Sequence, residues 1–323
     1  MDSNSSSIDR RKFLQAAMGG AACGAAIGPW ASANGQSASM PVSIEATARA
    51  NSGLSWPERG NFAFKPLVAP HRASAKAMLD AREFFGLERE SLALYGCVRS
   101  QDGEMYELCR RIPGVHGRGV LNGLFMLSTV GKDALRIVPE AGMQAATSLN
   151  HQAELRDDTA IWRSDPAAAG NPFQVTFSND GGKCTWMEKG LFDLEGELLG
   201  PGLQWYLPST DTSMFYVSQL FEVNGNLRGK PVRGIIGFDD IYLPRGVILY
   251  AGGDPLTRHK NHRAWYTWAT RYKDGSFDAG HFMLGHDRLG FSIVTNEHQQ
   301  LVLSTDVSGE VVKKMYRVLD ILK

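Results

Sequence analysis

The chain has 323 residues, 34 basic side chains balanced by 34 acidic ones, 43% apolar residues and 10% aromatics. This composition suits a well-buried core and supplies no basic field to draw in nucleic acid or anionic lipid. Beyond the N-terminal leader no apolar run reaches the roughly 20 residues of a membrane-spanning helix.

Residues 1–33 read as a removable export signal. Asp9-Arg10-Arg11-Lys12-Phe13-Leu14 matches the twin-arginine pattern, an uncharged Ala/Gly-rich stretch runs from Ala16 to Gly28, and Ala31-Ser32-Ala33 places small residues where a signal peptidase cuts. The expectation is a periplasmic or secreted protein that passes through the twin-arginine machinery already folded. Cys23 is a poor lipoprotein cysteine, because Gly20 stands where a large apolar residue belongs.

Removing the signal leaves about 290 residues, room for one large or two medium domains. Residues 34–87 read as a linker arm followed by a helix. Ala77, Met78, Ala81, Phe84 and Phe85 recur at helical spacing, with Gly86 as a stop. Short strands follow in pairs. Leu92–Val98 and Met105–Cys109 flank Gln101-Asp102-Gly103. Gly123–Ser128 and Ala134–Val138 flank residues 130–133. Phe173–Phe177 and Cys184–Met187 flank Asn179-Asp180-Gly181-Gly182. The meander pauses between Pro201 and Pro208. A second set then begins with Phe215–Val223, a turn at Asn224-Gly225, and Val232–Phe238. Trp265–Tyr272, a turn at Lys273-Asp274-Gly275, Phe277–Leu284, Leu289–Val294 and Gln300–Leu303 continue it. Helical character returns over 310–322.

Many short strands with almost no intervening helix predict a mostly β protein made of two antiparallel barrel-like domains, residues 88–208 and 209–323. Cys97, Cys109 and Cys184 are expected as mostly free, buried thiols, because the spacing of Cys97 and Cys109 does not set them directly opposite each other. No Cys-x-x-Cys suggests a redox dithiol or a zinc ribbon.

The second set resembles a known family. Tyr216–Leu227 is similar to the entry strand of the second lipocalin-like domain of carotenoid 1,2-hydratase (hydroxyneurosporene synthase) and AttH-like proteins. Gly229-Lys230-Pro231-Val232-Arg233-Gly234 leads into Gly234-Ile-Ile-Gly237-Phe238-Asp239-Asp240, which resembles the family's Gly-x-Gly-aromatic-His-Asp box. Trp265-Tyr266-Thr267-Trp268 with Lys273-Asp274-Gly275 resembles its Trp/aromatic strand and turn. The resemblance covers residues 205–290 by motif and 88–204 by pattern. Asp239 stands where the family often has His, and Tyr242-Leu243-Pro244 where a Trp often follows. The resemblance implies lipocalin-like barrels, a hydrophobic substrate and Asp240 as the inward carboxylate.

The catalytic candidates are Asp240, Asp239, Tyr216 and Tyr242. Adjacent residues on a strand point to opposite faces, so at most one of the two aspartates faces a cavity. The resemblance makes that residue Asp240, whose pKa would rise in an apolar pocket and suit it as the general acid for an alkene or enol. The plain alternative is a partner for Arg233 or Arg245. Tyr216, Tyr242 and Tyr266 are hydroxyls able to orient a polar head. Trp205, Trp265, Tyr266, Trp268 and Phe238 are the expected greasy wall, with core packing as the competing role. His259 and His262 sit among like charges, and His281 and His286 lack a third ligand, so no metal site is predicted. Gly-x-Ser-x-Gly, His-Glu-x-x-His, nucleotide and phosphate-loop signatures are absent.

Together these features predict an exported enzyme, without a cofactor, that hydrates, isomerises or cyclises an isoprenoid- or steroid-like hydrophobe. The alternative is a non-catalytic carrier of such a ligand.

Overall fold

The computed structural model describes residues 67–80, 82–114, 122–129, 136–207, 213–251, 253–258, 262–285, 290–298, 301–305 and 307. The segment expected as an export signal, most of the expected arm and the helix expected over 310–322 lie outside them. The described chain is mostly β and antiparallel, as predicted, with three short helices: α1 (Ala75–Leu79), α2 (Pro139–Gln144) and α3 (Pro255–Arg258).

One large curled sheet dominates. It takes β1 (Leu67–His71), β2 (Glu88–Ser100), β3 (Met105–Pro113), β4 (Leu124–Ser128), β5 (Arg136–Ile137), β6 (Gln152–Arg156), β7 (Thr159–Arg163), β8 (Phe173–Phe177), β9 (Lys183–Glu188), β10 (Phe192–Leu198), β11 (Gly202–Leu207), β12 (Met214–Leu227) and β13 (Lys230–Leu243). Its order is β5-β4-β3-β2-β13-β12-β10-β9-β8-β7-β6, with β11 on β12 and β1 on β11. The second sheet is β14 (His262–Arg271), β15 (Phe277–Gly285), β16 (Gly290–Asn296) and β17 (Leu301–Ser304), in that order.

The two 14-residue strands β12 and β13 organise the molecule. The first half of β12 pairs with β11 and its second half with β10, while β13 runs along β2. Val223 and Phe221 therefore point into the curl of the large sheet, where Leu94, Leu108, Trp162, Phe177, Trp186 and Phe238 are buried. Tyr216 points the other way, into a second core with Trp205, Met283, Phe291 and Ile293 that joins the large sheet to the small one. Each fully buried side chain of this size stabilises the fold by about 1.5–3 kcal/mol.

Several expectations change. The helix after His71 is only α1, capped where the Ser74 hydroxyl accepts from Ala77 N at 3.2 Å. It stops at Leu79 because Phe84 and Phe85 are drawn into a tight turn, with Phe85 at φ 56° and Gly86 at φ 71°. Their rings then pack on Tyr206, Phe215 and Tyr242, with centroids 4.4–5.7 Å apart, which helical spacing does not allow. The pause at 201–208 is the strand β11. Asn224-Gly225 is not a turn, since β12 continues to Leu227 and the reversal falls at Arg228-Gly229, at φ 50° and 78°. Gly225 is required because a Cβ there would meet Asp193 O on β10 at 1.9 Å. Cys97, Cys109 and Cys184 are free thiols, and in register Cys97 faces Glu107 while Cys109 faces Tyr95.

The curl also buries charge. Arg110, fully buried, forks onto Glu188 through Nε and through Nη2 at 2.6 Å, donates through Nη1 to Ala146 O at 3.1 Å and to Ser148 Oγ at 2.8 Å, and lies 4.1 Å over the Phe173 ring. Trp186 Nε1 donates to the same carboxylate at 2.9 Å. Buried charge is tolerated when it is paired and hydrogen-bonded in this way.

Candidate functional site

The site is built on the middle of β13. Phe238, Asp240 and Tyr242 share one face, and Asp239 and Ile241 the other. Both aspartates are nearly enclosed, at 3% exposure for Asp239 and 7% for Asp240.

Asp239 faces the second core. Ser218 lies directly opposite on β12, and its hydroxyl donates to Oδ1. Tyr216, two residues earlier on the same face, donates to Oδ2 at 2.5 Å. Tyr95 lies opposite Gly237 on β2, and Gly237 leaves the space for its ring: a Cβ would sit 2.5 Å from it. The Tyr95 hydroxyl comes within 3.4 Å of Ser218 Oγ and accepts from Trp265 Nε1 at 3.1 Å. Among the described residues no cation pairs with Asp239. Burial pushes its pKa up to about 7, against the pull of the Ser218, Tyr216 and Tyr95 hydroxyls and with help from Asp240. Burial and the same carboxyl hold both phenols well above their usual range.

The second sheet closes this face. Trp205 stacks on Tyr216 with centroids 5.3 Å apart and planes 14° from parallel, and Trp265 lies 5.5 Å from Tyr216. Phe291 sits 5.3 Å from Trp205 and 5.8 Å from Trp265. His281 of β15 brings Nδ1 to 3.5 Å from Ser218 Oγ, and burial holds its imidazole neutral, down to about 3. Among the described residues the buried Trp205 Nε1 meets no acceptor. Asp254, at the start of α3, accepts from Tyr250 N at 2.8 Å and Leu256 N at 3.0 Å, and so fixes the loop that brings Tyr250 within electrostatic reach of Asp239.

Asp240 has a different environment. Arg89 donates to it twice, Nε to Oδ1 at 2.8 Å and Nη2 to Oδ2 at 2.7 Å, and the Tyr242 hydroxyl donates to Oδ2 at 2.8 Å. Burial pushes the Asp240 carboxyl up and Arg89 opposes it. Burial likewise works against the Arg89 cation, and Asp240 and Tyr242 outweigh it. A bidentate pair of this geometry keeps both partners charged. Arg89, rather than Arg233 or Arg245, is the partner, and Arg245 pairs with Glu88.

Of the predicted site residues, Asp239, Tyr216, Trp205 and Trp265 come together. Asp240, Tyr242 and Phe238 are assembled on the opposite face. Tyr266 and Trp268 are joined to neither. Tyr266 is half exposed and stacks on Phe282 at 4.8 Å, and Trp268 Nε1 donates to Asp278 at 2.9 Å. Ser218, Tyr95, His281 and Arg89 were not singled out for these roles. Ser218 does have a signal, as the lone small hydroxyl inside the run Phe215–Phe221.

Among the described residues no three His, Cys, Asp or Glu side chains are grouped to hold a metal ion, and no helix is long and apolar enough to cross a membrane. His116, His259 and His286 lie outside them. An open polar cleft lined by Arg72, Asp180, Lys183 and Glu197 shares no residue with the Asp239 site.

No family model and no curated protein matches the chain. A solved structure described as a candidate AttH of Nitrosomonas europaea is similar over 70% of this chain and 73% of that one, at 15% identity and a TM-score of 0.31, a level that carries no inference about activity.

Proposed function

We propose that the chain is an exported enzyme that, without a cofactor, hydrates, isomerises or cyclises a hydrophobic isoprenoid- or steroid-like substrate, with Asp239 as its general acid. The supporting observation is a buried carboxyl that faces aromatic rings, has hydroxyl partners instead of a cation, and is pushed up to about 7. A group poised there is protonated in part of the population at neutral pH and is still strong enough to give the proton up. The Asp239 O–H bond breaks as a C–H bond forms on an alkene or enol carbon. Tyr216 and Ser218 then hold the carboxylate that is left. The Tyr216, Trp205 and Trp265 rings offer π faces to the carbocation, which is resolved by water, by loss of a proton or by ring closure.

Asp240 is assigned the other role. Its pairing with Arg89 anchors β2 to β13 beside the site. Native mass spectrometry and lipid extraction of the purified protein would identify the hydrophobe. With that compound, kcat/KM should fall as pH rises through about 7, as the acid form is lost. A ligand that binds and is never converted would make the protein a carrier.

A further inference from the structure

The donor count around Asp239 is unusual. Oδ1 accepts from Ser218 and Oδ2 from Tyr216, and the Tyr95 hydroxyl adds its pull, so every one of these partners serves the ionised carboxylate as a donor. Once it gains a proton, the new O–H needs an acceptor. The Tyr95 hydroxyl accepts from Trp265 Nε1 and acts on Asp239 as a donor to its ionised form. Ser218 Oγ lies between Asp239 and His281 Nδ1 and is fully buried. A hydroxyl has one hydrogen and two lone pairs, so it can reverse its direction without moving its oxygen.

We propose that Ser218 is a two-way hydrogen-bond switch, donating to Asp239 when that carboxyl is ionised and to His281 Nδ1 when it is protonated, so that His281 is a positioning residue for the acid form. This rests on Asp239 as the proton-carrying group of the proposed reaction. In the protonated state the chain runs Asp239 O–H to Ser218 Oγ, then Ser218 O–H to Nδ1 of an imidazole that carries its hydrogen on Nε2. In the ionised state the Ser218 hydrogen returns to Oδ1 and Nδ1 is released. Burial supports the neutral imidazole the switch needs. The other groups facing Asp239 are Tyr95 from β2, Tyr216 from β12, Tyr250 from the loop after β13, Cys109 from β3 and Asp240 through the strand. The nearby cation Arg111 is committed to Glu90 and Ser91.

The test is the titration of Asp239 in the full chain by NMR of ¹³C-labelled aspartate, with its resonance assigned by its loss in Asp239→Asn. His281→Phe removes the acceptor that serves only the acid form, so the midpoint should drop by about one pH unit, a tenfold change. Ser218→Ala removes the donor to the ionised form and the acceptor of the acid form together, and so sets the reference midpoint for a site cut off from His281. In the double variant His281 has no route to Asp239, so the midpoint should match that of Ser218→Ala alone. An unchanged or raised midpoint in His281→Phe, or a double variant shifted further by the His281 change, overturns the switch. Should His281→Phe fail to fold, ¹⁵N-histidine NMR of the unaltered chain decides the point: the Nδ1 resonance of His281 should gain a hydrogen-bond shift as pH falls through the Asp239 midpoint, and a constant resonance overturns the proposal. Neither measurement uses substrate. A titration uncoupled from His281 leaves Asp239 standing as the acid, whereas turnover that survives Asp239→Asn removes the acid role and leaves the switch.

Discussion

Asp239 and Asp240 are chain neighbours held by opposite kinds of partner. Asp239 accepts from the hydroxyls of Ser218 and Tyr216, and Asp240 from the guanidinium of Arg89 and the hydroxyl of Tyr242. The pleat of β13 separates them, so two identical carboxyls acquire different protonation chemistry. Burial raises both carboxyls, Asp239 to about 7 with hydroxyl partners, and Asp240 against the pull of the Arg89 guanidinium.

The Arg89–Asp240 pair predicts a stability effect. Arg89→Met leaves a buried carboxylate with only Tyr242 for company, and breaking a buried pair in this way costs about 3–5 kcal/mol. Replacing both partners, Arg89→Met with Asp240→Leu, should recover most of that loss. Urea unfolding of the two variants measures it. A cost below about 1 kcal/mol in the single variant would show that the pair does not anchor β2 to β13.

Gly237→Ala probes how the site is assembled. The added methyl would sit 2.5 Å from the far end of the Tyr95 ring, so the phenol must shift. Overpacking of this kind costs about 1–3 kcal/mol. The displaced phenol should also lose its bond from Trp265 Nε1, which indole fluorescence and thermal unfolding both report. An unchanged indole signal would show that the glycine serves some other contact.

Stability should depend on pH through Asp239 and His281 in opposite senses. Folding raises the Asp239 pKa from 3.8 to about 7. Between these values the folded chain binds more protons than the unfolded one, and this contribution is lost as pH rises. Folding lowers the His281 pKa from 6.5 to about 3, so its contribution is lost as pH falls through that window. Asp239→Asn should therefore make the unfolding free energy climb more steeply between about pH 4 and 6, and His281→Phe should flatten it. Urea titrations across the window test both signs.

What the sequence revealed follows from which signals are local. Turns at Gln101-Asp102-Gly103, Asn179-Asp180-Gly181-Gly182 and Lys273-Asp274-Gly275 were legible, because Gly103, Gly181 and Gly275 take the positive φ a tight reversal needs. The turn at Asp157-Asp158, φ 46° and 59°, was not read, because neither residue is glycine, and β6 and β7 were missed with it. Asn224-Gly225 misled, since its glycine answers to a neighbouring strand instead of a turn. For the site, strand alternation separates Asp239 from Asp240, and Tyr216 follows from the same rule. Which aspartate meets a cation depends on Arg89, 151 positions away in the chain, and His281 reaches Ser218 only through the second sheet. Contacts between strands that distant leave no periodic trace.

Export is tested apart from chemistry. Arg10→Lys with Arg11→Lys should keep the protein inside the cell, unprocessed and larger by the signal on a denaturing gel. Continued appearance of the shorter form in the periplasm or medium would remove the twin-arginine assignment.

The most direct test of the account compares two carboxamides, Asp239→Asn and Asp240→Asn, on the hydrophobe that co-purifies with the protein. If Asp239 is the acid, Asp239→Asn should lose turnover by about 100-fold or more, the range of general acid catalysis, and should keep its affinity for the ligand. Asp240→Asn should lose stability while its folded fraction retains activity. Undiminished turnover in Asp239→Asn, or loss of turnover confined to a well-folded Asp240→Asn, would contradict the assignment.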